Sequence, residues 1–356
     1  MLIRFHRPAP QLRSTALGTL TSEAAIQVPP TLFLTDDDVA QLADWVAAFS
    51  ALRTAYASAI APAMVPPRSM ARGDGLWLRG LTAVSPSGRH MGSKLIAANM
   101  KSRRASYLVS LFDQQTTALS ALIDGNRITG IRTAATAAVA VDAAAPSKPL
   151  RIAVIGSGFE AQGLLAALAA VRRIEHVRVF SPTSASREKF AVLCRDQHDL
   201  QCDAVGSAQE AVRGADVVLC AARSRDESPV LRGEWLEPGM TVVSIGSTLP
   251  EQREVDEHVI ARAALIVADM PEEVAHDTGD MLAAGRAGVE FASKLVPLSE
   301  LVAGRLTPRR TASDIVLYKS VGSALQDIVI AEMLLASARL QGRGVALPAS
   351  IAPISK

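Results

Sequence analysis

The stretch Arg151-Ile152-Ala153-Val154-Ile155-Gly156-Ser157-Gly158-Phe159-Glu160-Ala161-Gln162-Gly163 leaves this chain few ways to fold. Residues 152–155 are an apolar, β-branched run that reads as a buried strand. The run breaks at once into Gly156-x-Gly158-x-x-Ala161-x-Gly163, and an Ala/Leu-rich helix follows over residues 164–171. A glycine fingerprint alone says little, but strand, glycine turn and helix in that order form the unit that holds a dinucleotide pyrophosphate. Gly156 permits the tight turn, Gly158 lets the backbone approach the phosphates, and Ala161 and Gly163 let helix and strand come close. The free N–H groups and dipole of the helix start then face negative charge. A nicotinamide dinucleotide is expected here, touched by Gly156, Ser157, Gly158, Phe159, Glu160, Ala161 and Gln162.

The rest of the chain divides around this unit. Strands over 177–180, 217–221, 241–245 and 264–268, with a helix over 185–194, alternate as in a parallel, doubly wound sheet. Upstream, Thr35 with Asp36, Asp37 and Asp38 offers a helix start. Val39, Leu42, Trp45, Val46, Phe49 and Leu52 follow at helical spacing, predicting one helix. Turn signals at Asp74-Gly75, Ser87-Gly88 and Asp124-Gly125 separate strands of an antiparallel sheet over 76–78, 94–97, 106–112 and 118–123. A small, Ala-rich helix over 129–144 and a linker at 146–149 lead into the dinucleotide unit. From Asp314 to about Leu340 the pattern is helical again.

The 356 residues suit two domains. The expected fold class is α/β: a Rossmann doubly wound nucleotide domain (131–310) inserted into a discontinuous α+β substrate-binding and dimerisation domain (31–130 and 311–356). Residues 1–30 read as an irregular extension.

Bulk properties exclude several function classes. A net charge of +2 gives no reason to expect a nucleic-acid partner. Lys101-Ser102-Arg103-Arg104 is too short a basic run to change that, and reads as a solvated loop. The apolar runs stop short of the ~20 residues a membrane span needs. No apolar segment follows Arg4, His6 and Arg7, so no secretory signal is expected. Three cysteines without a Cys-x-x-Cys pair fit a reducing cytoplasm, and six scattered histidines suggest no metal site.

The end of the second nucleotide-domain strand discriminates between cofactors. An acidic residue there binds a ribose 2′-hydroxyl and repels a 2′-phosphate. This chain instead has Ser181-Pro182-Thr183-Ser184-Ala185-Ser186-Arg187. Ser181, Thr183 and Arg187 suit NADPH. NADH remains possible if Arg187 is only an exposed residue of the first helical turn.

Three cations stand in unusual settings. Arg68 follows Pro66-Pro67, Lys94 opens an apolar strand, and Arg132 lies among the small residues of Thr129-Gly130-Ile131-Arg132-Thr133-Ala134-Ala135. Burying a cation is costly without a partner. A substrate carboxylate would supply one, and so would Asp or Glu residues of the chain itself.

Several segments, in order, resemble the ornithine cyclodeaminase/μ-crystallin family. They are Gly92-x-Lys94, Leu111-Phe112-Asp113, Leu122-Ile123-Asp124-Gly125, Thr129-x-x-Arg132-Thr133-Ala134-Ala135 and the glycine loop. Gly246-Ser247-Thr248-Leu249-Pro250, Glu254-Val255-Asp256, Ser313-Asp314, Lys319-Ser320-Val321-Gly322 and Ala324-Leu325-Gln326-Asp327 continue the series, so the likeness spans about residues 35–340. The resemblance implies a homodimer formed through the first domain and NAD(H) or NADP(H) in each subunit, with Thr133 among the cofactor contacts. It also implies a substrate carboxylate among Arg68, Lys94 and Arg132, with Lys94 near the reacting centre. Cyclodeaminases carry an acid where Thr248 stands. Threonine is a poor base near pH 7, which points to the ketimine reductase branch, with Thr248 placing water or the amine. The expected activity is NAD(P)H-dependent reduction of a small 2-imino acid. The competing readings are an alanine-type amino acid dehydrogenase, an ornithine cyclodeaminase and a ligand-binding protein without turnover. Leu78, Arg79, Met91 and the loop at 276–280 are candidate pocket residues of unknown orientation. Arg79 would either meet a second substrate carboxylate or face solvent.

Overall fold

Two sheets, built on two different residue patterns, organise the molecule. The computed structural model describes residues 29–354, so all but the last two residues of the expected N-terminal extension lie outside the described residues. In the first sheet the strands run in the order Val345–Ala346, Leu32–Leu34, Leu119–Asp124, Arg104–Asp113, His90–Asn99, Leu76–Val84, Ser69–Arg72. Pairing is antiparallel as expected, except that Leu32–Leu34 runs parallel to Leu119–Asp124. Side chains alternate across such a sheet. Leu81, Lys94, Ile96, Val109 and Leu111 are buried on its inner face, while Leu78, Leu95 and Leu108 stand exposed on the other.

The second sheet is wholly parallel, with strand order Leu295–Pro297, Ala263–Ala268, Ile315–Lys319, Thr241–Ser244, Val217–Cys220, Leu150–Ile155, Ile174–Phe180, Cys202–Ala204. Its central strands are near-continuous apolar runs because helices cover both faces, whereas Ile174–Phe180 towards one edge carries Glu175, His176 and Arg178. The order reverses between Leu150–Ile155 and Val217–Cys220, so a crevice opens beyond their carboxyl ends. The helix Asn126–Ala144 joins the two sheets. Its alanines, almost all buried, let the helices Trp45–Ala57, Phe159–Ala169 and Ala324–Gln341 pack closely around it.

Three local expectations are corrected. The single helix expected after Thr35 is two, Asp36–Leu42 and Trp45–Ala57. Asp44 starts the second by accepting from the Ala47 N–H at 2.7 Å, and the rotation leaves Val46 outside. The dinucleotide helix begins at Phe159, directly at the glycine turn, rather than at residue 164. The segment expected to be helical from Asp314 opens as the strand Ile315–Lys319, in the middle of the parallel sheet, and only then becomes the helix Ala324–Gln341. Its five buried residues satisfy a strand, and helical periodicity cannot identify so short an apolar run. The expected boundary at 310/311 therefore assigns a strand of the nucleotide sheet to the other domain. Among the described residues, no helix is long and apolar enough to cross a membrane.

Candidate active site

The glycine turn has the shape its sequence demands. Gly156 has φ +114°, and a Cβ there would lie 2.6 Å from the Ala221 carbonyl oxygen. Gly158 precedes the helix Phe159–Ala169 with no side chain capping it, and a Cβ at Gly158 would meet nothing within 4 Å. The first N–H groups of that helix thus face open space, which is the chemistry a pyrophosphate needs. At the neighbouring strand end the Ser157 hydroxyl donates to the Ser181 hydroxyl at 3.0 Å. Arg187 folds back, donating to the Ser181 carbonyl at 3.0 Å, with its guanidinium 5.9 Å from the Phe180 ring centre. Thr183 starts the following helix, also without a side-chain cap. The residues fit a dinucleotide, and no carboxylate ends the second strand. Phe159, also of the expected set, is 65% exposed and packs its ring over Gly130.

The crevice continues as a cleft of about 270 Å³ lined by Thr129, Arg132, Thr133, Glu160, Thr248 and Gly322, among others. Lys94, from the first sheet, lies behind the cleft-lining Thr129 and is only 1% exposed. Its ammonium donates to Asp327 Oδ1 at 2.9 Å and to Thr129 Oγ1 at 2.6 Å, and lies 5.7 Å from the Tyr107 ring centre. Burial pushes its pKa below the usual lysine range, and Asp327 opposes that shift. Arg132 donates from Nη1 to Gln326 Oε1 at 3.0 Å, and its Nε lies 3.6 Å from Asp327 Oδ1. Arg68 pairs with Glu273 and donates from Nη2 to the Gly322 carbonyl at 3.1 Å. All three expected cations therefore meet carboxylates of the chain, yet buried Nε atoms of Arg68 and Arg132 lack hydrogen-bond partners among the described residues. The internal ion pairs hold the cations without using every donor. Glu160 Oε2 is likewise buried without a partner, and burial raises its pKa against the pull of Arg132 and Lys94.

Sequence reading missed the residue that ties the two halves of the site together. Asp269, just past the strand Ala263–Ala268, accepts from Ser320 Oγ at 2.6 Å and from the Val321 and Gly322 N–H groups at 3.1 and 2.8 Å. It also accepts from Gln326 Nε2 at 2.9 Å. Gln326 passes the constraint on to Arg132 through its oxygen and to Tyr56 through its nitrogen. Gly322, at φ +80°, lies so close to the Arg132 guanidinium that any Cβ would overlap it. An acid at the carboxyl end of a parallel strand was the available signal.

A second buried cluster shapes the loop carrying Thr248. Lys319 Nζ meets Asp280 Oδ2 at 3.1 Å, Ser244 Oγ at 3.0 Å and the Ser247 carbonyl at 3.1 Å. Glu254 accepts from Ser244 Oγ and the N–H groups of Gly246 and Ala222. Burial raises its pKa while Lys319 lowers it. Thr248 donates from Oγ1 to Gln252 Oε1 at 3.1 Å, so it presents lone pairs and no ionisable group to the cleft. Asp280 is thus a support below the site. Leu78 and Met91 lie on the outer face of the first sheet, away from Lys94.

A sequence model of the ornithine cyclodeaminase/mu-crystallin family matches residues 82–341. A Delta(1)-pyrroline-2-carboxylate reductase of Bacillus cereus is 31% identical over 284 residues, 79% of this chain and 83% of that protein. The ketimine reductase mu-crystallin of Mus musculus is 32% identical over 233 residues, 65% of this chain and 69% of that protein. Among solved structures, an archaeal alanine dehydrogenase dimer with bound NAD superimposes with a TM-score of 0.79 at 25% identity, covering 89% of this chain and 98% of that one. Motifs, fold and relatives agree: the chain belongs to the ornithine cyclodeaminase/mu-crystallin family.

Proposed function

We propose that this protein reduces the C=N bond of a small 2-imino acid at the expense of a reduced nicotinamide cofactor, giving an L-amino acid. The observation that carries this reading is the meeting of Lys94, Arg132 and Arg68 beside the crevice that the glycine turn opens. The two curated relatives named above act, by their names, on a pyrroline-2-carboxylate and on ketimines. Both names describe C=N compounds, and the pyrroline carries a carboxylate.

The cofactor, when bound, supplies the hydride. Arg132 and Arg68 grip the substrate carboxylate with donors their internal partners leave free, which orients the imine carbon and removes much of the entropic part of the barrier. Lys94 holds positive charge beside the nitrogen. Its pKa, pushed down by burial, eases transfer of a proton to that nitrogen. Thr248 accepts a hydrogen bond from the nitrogen or from water but cannot take the proton itself, which favours reduction over cyclodeamination. Purified protein, reduced cofactor and piperideine- or pyrroline-2-carboxylate test the reading: cofactor absorbance is expected to fall, with the cyclic amino acid as product. Ammonia release from ornithine without imine reduction would overturn it in favour of cyclodeamination.

The cofactor is NADPH. The hydroxyls of Ser181 and Thr183 and the cation of Arg187 stand where an acid would reject a 2′-phosphate. Arg187→Ala is expected to raise the NADPH KM about tenfold, the effect of losing one exposed charge-assisted contact, while the NADH KM barely moves. Equal changes for the two cofactors would show that Arg187 does not read the phosphate.

The active form is a cytoplasmic homodimer joined through the outer face of the first sheet. That face exposes Leu76 (52%), Leu78 (47%), Leu95 (38%) and Leu108 (37%), an apolar patch suited to a second copy of itself. Sedimentation should give twice the 37.5 kDa chain mass, and Leu95→Asp should give the monomer.

A further inference from the structure

We infer that Arg79 makes the enzyme selective for 2-imino acids bearing a second carboxylate: it stands on the Lys94 face of the first sheet, beside Arg68, and no described carboxylate pairs with it. The inference rests on the reductase reading and names its substrate class.

Strand register settles the orientation that sequence left open. Leu81 lies directly opposite Lys94, and Arg79 directly opposite Ile96, which in turn faces Tyr107. Residues two apart share a face, so Arg79, Leu81, Lys94, Ile96 and Tyr107 all point the same way. Arg79 is thus one row along from Lys94, within about 7 Å along the strand, and not on the solvent face. Its guanidinium lies 5.3 Å from the Trp77 ring centre, and its buried Nε has no hydrogen-bond partner among the described residues.

Of the other cations of this wall, Arg72 is exposed and in no ion pair among the described residues, while the buried ones are balanced. Arg68 has Glu273, while Lys94 and Arg132 share Asp327. Burial is the largest cost to the charge of Arg79; Arg68 adds repulsion, Glu273 offsets part of it, and Arg72 repels more weakly. A half-buried guanidinium left in this state is a receptor for an anion. With the 1-carboxylate held between Arg132 and Arg68, a further carboxylate on a four- or five-carbon chain extends along the Lys94 face of the sheet toward Arg79. In the reaction the C=N π bond breaks, hydride forms the new C–H bond, a proton forms the N–H bond and the cofactor is oxidised. The second carboxylate is bound and does not react.

The test compares imines formed in place from ammonia and oxaloacetate or 2-oxoglutarate with the imine of pyruvate and with pyrroline-2-carboxylate. Wild type is expected to favour the dicarboxylates by about tenfold or more in kcat/KM. Arg79→Met should lose about a hundredfold on them, the worth of a buried charge-assisted contact, and change little on the monocarboxylates. Arg79→Lys should recover part of the loss. Equal losses on both classes would mean that Arg79 only packs on Trp77, and would overturn the inference, as would a wild type without preference. Calorimetry of L-aspartate, L-glutamate and L-alanine binding to cofactor-loaded protein gives a readout without turnover. If no imine consumes cofactor, the reductase reading fails. Binding of the acidic amino acids that vanishes in Arg79→Met would still support the anion site, and binding unchanged by the substitution would overturn it.

Discussion

Lys94→Met is expected to lower kcat/KM for imine reduction by about a thousandfold, within the range for losing a positioned proton donor. Met fills nearly the same volume, so packing is largely kept. The charge is not replaced, and Arg132, the nearest other cation to Asp327, is engaged with Gln326. The substitution also leaves Asp327, which is 1% exposed, with only the Arg132 Nε at 3.6 Å, and breaking a buried pair costs up to about 3–5 kcal/mol. A fall in activity could then reflect unfolding. The double variant Lys94→Met/Asp327→Leu removes both charges and should recover most of the lost melting temperature. It should recover none of the rate. Recovery of rate together with stability would show that Lys94 only neutralises Asp327. Steady-state kinetics and thermal unfolding of the three proteins decide between these outcomes.

Gly156→Ala should weaken cofactor binding by about a hundredfold and lower the melting temperature. Two costs act on the same atom. A φ of +114° is outside the range an L-residue adopts without strain, worth about 1–2 kcal/mol even in the milder left-handed region. The added Cβ would also sit 2.6 Å from the Ala221 carbonyl oxygen, which belongs to backbone and cannot swing aside. The strand ends must separate to relieve it, and the crevice changes shape where the pyrophosphate lies. Fluorescence titration with NADPH reads the binding loss. By contrast, Gly158→Ala meets nothing within 4 Å in the protein, so its effect should appear only in the cofactor-bound state. Unchanged NADPH affinity in Gly156→Ala would refute the assignment of this turn to the pyrophosphate.

Much of this protein was legible in its sequence because the relevant signals are local. The strand–glycine–helix unit, the alternating strands of the first sheet and the family motifs each lie within short stretches, and those elements formed in the expected order, though the helix starts earlier and the strands run longer than read. The break at Ala43 and Asp44 was also encoded locally, in a second helix-starting side chain that the continuing apolar spacing obscured. The strand Ile315–Lys319 was hidden because a five-residue apolar run carries no period long enough to distinguish strand from helix.

By itself, then, the sequence determined the dinucleotide unit, the two sheet patterns and the identity of the three cations, since each depends on residues close together in the chain. Only the tertiary structure decided how those cations are held. Lys94 and Asp327 are 233 positions apart, Arg68 and Gly322 are 254, and Asp269 meets Gln326 across 57. Whether a cation pairs internally or waits for a substrate depends on which carboxylates the fold brings within a few ångströms, because in a low-dielectric cleft an ion pair is decided by distance and burial rather than by neighbours in sequence.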